Sequence, residues 1–74
     1  MSKKSELKNQ IRDCELEIES LEQKRMRSQS ALLRAVLSNT QPDPTEVEFF
    51  RVFSDLIDQQ RERLAELNKE LRGK

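Results

Sequence analysis

Leu7, Ile11, Cys14, Ile18 and Leu21 follow one another at steps that alternate between four and three residues. That spacing is the a/d seam of a heptad repeat, the pattern of a helix that buries one narrow stripe against another helix. Arg25 and Ser28 take the next two seam positions, and Leu32 and Ala35 resume the apolar series. The residues between are mostly Glu, Lys, Arg and Gln, which favour helix on exposed faces. The spacing predicts a first helix over residues 5–38.

Residues 39–44, Asn-Thr-Gln-Pro-Asp-Pro, are expected to stop it. Each proline disfavours helical geometry in the residue before it and lacks a backbone donor, and six residues suit a helix-to-helix return. A second seam follows at Phe50, Phe53, Ile57, Gln60, Leu64, Leu67 and Leu71, with Gly73 as a natural stop, so a second helix is predicted over residues 45–72. Two starts compete for it. Asp43 can cap a helix with Pro44 at its first position, or Thr45 can cap one with Glu48 reaching back in a capping box. The expected fold is all-α: one antiparallel two-helix hairpin of coiled-coil type, residues 1–74 forming a single domain.

The two seams also suggest a register. Ala35 would face Phe50, Leu32 Phe53, Ser28 Ile57, Arg25 Gln60, Leu21 Leu64, Ile18 Leu67 and Cys14 Leu71. Arg25 and Gln60 would then form one polar layer, a device that sets register at some cost in stability. Glu22 and Arg61 would be flanking neighbours.

Seventy-four residues build a small core, rarely worth more than about 3–5 kcal/mol without disulfides, metal or oligomerisation. With one cysteine and no histidine, disulfide stapling and the usual zinc sets are excluded, which leaves association with another helical surface. Inventory also argues against an enzyme: no Cys–His pair, no phosphate-cradling glycine loop, and carboxylates at Glu15, Glu17, Glu19 and Glu22 that point to different sides of the helix. No cofactor, metal or small-molecule substrate is expected. Fourteen basic residues balance fourteen acidic ones, so no net field gathers nucleic acid or anionic lipid. A lone Cys14 and the lack of an apolar run of about 18 residues point to a cytoplasmic chain that does not enter a membrane.

A hairpin covers one stripe per helix, yet this sequence carries more. Met26, Leu33, Val36 and Leu37 on the first helix and Val47, Phe49, Val52 and Leu56 on the second lie off the seam, all in the half near the turn. Joined by Phe53 and Ile57 of the adjoining seam, they make the expected partner-binding surface, with all three aromatics in or beside it. The partner would be a second copy, completing a four-helix bundle, or another helical protein. The expected function is that of a non-enzymatic adaptor, co-chaperone or assembly factor. Two alternatives stand beside it: a dimeric RNA- or DNA-binding regulator using Lys24, Arg25, Arg27 and Arg34, and a modulator docking on a signalling enzyme through Asp58 or Gln59. Nucleic acid is the less expected partner, because no aromatic interleaves with the basic cluster.

The stretch from Pro44 to Leu64, a helix opening on proline with a phenylalanine cluster, resembles the short co-chaperones of type III secretion needle subunits. That resemblance implies a hairpin docked on a helical-repeat chaperone through a ridge of Phe50, Phe53, Ile57 and Leu64. In outline the chain is also similar to the RNA-binding four-helix-bundle modulators of plasmid copy number and to Rho- or Rab-binding coiled-coil fingers.

Overall fold

The computed structural model describes residues 2–73. Two helices, α1 (Lys3–Leu37) and α2 (Pro44–Arg72), pack antiparallel along one another in a rod 55 Å long and about 16 Å across. This is an all-α hairpin.

Helix α1 starts two residues before the expected Ser5 because Ser2 caps it, its side chain accepting from the Ser5 amide at 3.1 Å. Its other end is closed by Asn39 rather than by the prolines. Asn39 adopts φ 55°, and the amides of Asn39 and Thr40 donate to the carbonyls of Val36 and Ala35 at 3.1 and 2.9 Å. Those two bonds form a Schellman cap with asparagine in the left-handed position, so the helix is over before Pro42 can act. Of the two candidate starts for α2, Asp43 is the one used. Its carboxylate accepts from the Thr45 amide at 2.9 Å and Pro44 occupies the first turn, where its missing N–H costs nothing. Glu48 turns away from the expected capping box and pairs with Arg51. Gly73 does follow α2, but at φ −78°, so its conformational freedom is not used.

The helices close one heptad away from the expected register. Cys14 does not face Leu71: its thiol donates to the Gln60 carbonyl at 3.2 Å and lies 3.4 Å from Gln60 Oε1. Leu7, Cys14, Ile18 and Leu67 form one buried cluster, with Ile11, Leu64 and Leu71 packed against it. Gln10 lines one groove with Leu67, Ser28 another with Phe49 and Phe53, and Ala31 a third with Glu46. By helical rise this brings Leu71 level with Leu7, Leu67 with Ile11, Leu64 with Cys14, Gln60 with Ile18, Ile57 with Leu21, Phe53 with Arg25 and Phe50 with Ser28. A heptad seam repeats its chemistry about every 10 Å, so both registers bury apolar layers over most of their length. They differ at the open end. The expected register carries Leu7 and Ile11 beyond the end of α2, whereas the observed one leaves Leu7 only 4% exposed.

The shift dissolves the Arg25–Gln60 layer, whose members now lie about 10 Å apart along the axis and cannot set the register together. Gln60 instead receives the Cys14 thiol, and buried, small Ser28 lines the groove that holds Phe49 and Phe53. Glu22 and Arg61 do meet, at 3.0 Å, because long side chains lean toward the N-termini of their helices and span the offset.

Candidate interaction surface

Core quality falls from one end of the rod to the other. Among the described residues, the open end and middle hold every buried apolar side chain: Leu7, Cys14, Ile18, Leu21, Ile57 and Leu67. In the turn half the seam positions Leu32, Ala35, Phe50 and Phe53 are only half-buried. Small Ala31 and Ala35 and polar Glu46 line the same groove near the turn, leaving little apolar bulk to close the core there.

Most of the expected partner residues are exposed in this half. Met26 (64%), Leu33, Val36 and Leu37 (77%) each keep more than half of their surface in solvent, and Val47, Phe49 and Leu56 are exposed as well. Val52 and Phe53 are half-buried. Ile57 does not belong with them: it is 0% exposed, sealed under α1, and unavailable to any partner. Its seam position takes it inward once Leu21 lies opposite. Of the ridge Phe50, Phe53, Ile57 and Leu64, no member is freely exposed, because that ridge is the intramolecular seam. Leu16, 57% exposed on the open half, is an apolar surface residue that the turn-half pattern passed over; its place off the seam was the available signal.

The exposed apolar residues divide between two sides of the hairpin. Successive helical residues turn by about 100°, and residues one heptad apart share a flank. Val36 thus lies on the flank of Glu22, and Val47 on that of Arg61, where the Glu22–Arg61 pair marks one side of the molecule. Met26 and Leu33 adjoin this side, with Leu37 behind them. On the opposite side Phe49 and Phe53 stack, ring centroids 5.9 Å apart at 28°, in a groove of about 340 Å³ shared with Lys24, Arg27, Ser28 and Glu46. Leu56, one heptad from Phe49, extends this aromatic side, and half-buried Val52 completes its strip on α2.

Charge is sorted by helix in the same half. From Lys24 to Leu37, α1 carries Lys24, Arg25, Arg27 and Arg34 and no acid; from Pro44 to Asp58, α2 carries Glu46, Glu48, Asp55 and Asp58 against Arg51 alone. Arg51 is satisfied within α2 by Glu48 and Asp55 on an exposed face, and its affinity for its proton rises through the Glu48 hydrogen bond and charge and then Asp55. Among the described residues, Lys24, Arg27 and Arg34 reach no carboxylate within ion-pair distance.

A groove of about 660 Å³ lies at the open end between Gln10 and Arg63, Glu66, Leu67, Lys69 and Glu70; its lining is mostly charged, of both signs. Among the described residues no three His, Cys, Asp or Glu side chains gather as a metal site, and no helix is long and apolar enough to cross a membrane. No family model, curated protein or solved structure matches this chain.

Proposed function

We propose that this hairpin is a non-enzymatic protein–protein interaction module, an adaptor or assembly factor, that buries its turn half against a second copy or another helical protein to complete a four-helix bundle. One observation carries the reading: the exposed large apolar side chains, Leu16 apart, gather in the half of the rod whose own core is open. Contiguous apolar surface rimmed by charge is characteristic of binding sites, and aromatic and arginine side chains are frequent anchors in them. The basic segment of α1 favours a nucleic-acid partner less, because the acidic segment of α2 lies alongside it.

The test is mass in solution by light scattering over a concentration series, with helicity recorded by circular dichroism. The expected result is a mass that rises above the 8.8 kDa of one chain and falls back in Phe49→Asp if the aromatic side carries the contact, or in Leu33→Asp if the aliphatic side does. Glu19→Lys, far from the turn, should change neither reading. A wild-type chain that stays one chain in mass and fully helical at every concentration, with both Asp variants indistinguishable from it, would overturn the proposal.

A further inference from the structure

We infer that the partner of the aromatic side is a second copy of this chain, related by a two-fold axis parallel to the helices so that both turns lie at the same end and α1 of each copy packs on α2 of the other. This rests on the interaction reading above and adds the occupant, the side and the orientation.

Charge complementarity identifies the occupant. The aromatic side presents two parallel strips: cationic Lys24, Arg27 and Arg34 with small Ala31 on α1, and Phe49, Val52 and Leu56 on α2, edged by Glu48 and Asp55. Each strip complements the other: among the described residues none of the three cations forms an ion pair in its own chain, and Glu48 and Asp55, which flank Arg51, carry one net negative charge between them and it. A guanidinium lying on a phenylalanine face with a carboxylate at its edge gains from both contacts once water is excluded.

Symmetry selects the orientation. Rotation about an axis parallel to the helices leaves every residue at its own height, so heights within one hairpin carry over between copies. Arg27 shares its groove with Phe49 and Phe53, which places it between the heights of Glu48 and Asp55 on the partner's α2. Lys24, about one turn further from the bend, comes to the height of Asp55 and Asp58, and Arg34, which shares a groove with Glu46, to that of Glu46 and Glu48. The apolar strips also overlap fully, since both lie in the turn half. A two-fold axis across the helices would instead set α1 on α1 and bring Arg27 and Arg34 against their own copies, a like-charge contact. The same contacts made without two-fold symmetry would leave each copy with one strip uncovered and lead to open chains.

The test uses charge reversal and mixing. Arg27→Glu with Arg34→Glu should weaken self-association at least tenfold in light scattering or sedimentation, as should Glu48→Lys with Asp55→Lys. An equimolar mixture of the two variants should recover a dimer, because every reversed strip then meets its reversed complement; helicity of each variant checks that the hairpin persists. Orientation is read from spin labels at Lys69→Cys in a Cys14→Ser chain. Turns at the same end hold the two labels within about half of the 55 Å hairpin length, whereas an opposed arrangement that overlaps the two apolar strips places them about 50 Å apart or more. A dimer indifferent to the arginine reversals but lost in Leu33→Asp would overturn this pairing and leave the interaction reading standing. Failure of the mixture to recover a dimer, or widely separated labels, would overturn it too.

Discussion

Two side chains place the bend of this hairpin. Asn39 takes the left-handed conformation that asparagine tolerates better than most residues, and Asp43 satisfies the first free amide of α2. Removal of the Asp43 carboxylate in Asp43→Ala should cost about 1 kcal/mol in urea denaturation, whereas Thr45→Ala should stay within about 0.5 kcal/mol. Equal losses would mean that the capping role is shared. Both start signals are visible in the sequence, and composition cannot choose between them, since Asp-Pro and Thr-x-x-Glu are each sound openings. Glu48 settles the competition by pairing with Arg51, three residues on along the helix. Residues in the seam carry larger consequences. Ile57, with no exposed surface, should cost about 2–5 kcal/mol as Ile57→Ala, measured the same way at a fixed protein concentration.

At the scale of the helices, the decisive quantity is register. A short bismaleimide should link Leu7→Cys to Leu71→Cys in a Cys14→Ser chain and should fail to link native Cys14 to Leu71→Cys, read as a gel shift of reduced, denatured monomer. The reverse outcome would restore the register one heptad away. Both helices were legible from spacing alone to within two residues at each end, because period and capping are local properties. Register was not. It depends on which layers find a partner at the far end of α2, and the pairing of polar Arg25 with polar Gln60 proved weaker guidance than the cost of leaving Leu7 and Ile11 uncovered. The Glu22–Arg61 pair forms yet is half-exposed, so it adds direction to the packing and little stability.

At the scale of the molecule, a rod this thin has far more surface than core. If a second chain or partner closes the turn half, stability becomes linked to concentration: the melting temperature should climb as chain concentration is raised, and the dependence should flatten in the Arg27→Glu, Arg34→Glu variant. A melting temperature independent of concentration would separate folding from association. The off-seam apolar residues could be picked out from their spacing, but their division into an aliphatic side and an aromatic, cationic side became visible only once α2 was docked. Helix wheels assign angles around each helix separately; the docking of α2 decides which flanks adjoin.

By itself the sequence determined two helices, their seams, the bend between them and the gathering of surplus apolar and segregated charged residues near that bend. Each of these follows from spacing within about a dozen residues, where helical geometry converts sequence distance directly into angle and height. The tertiary structure alone decided the register, the complete burial of Ile57, the Cys14–Gln60 contact and the two-sidedness of the surface. These depend on how one periodic seam slides along another, and a repeat that looks alike at every heptad leaves that choice to the ends, where apolar residues either meet the second helix or do not.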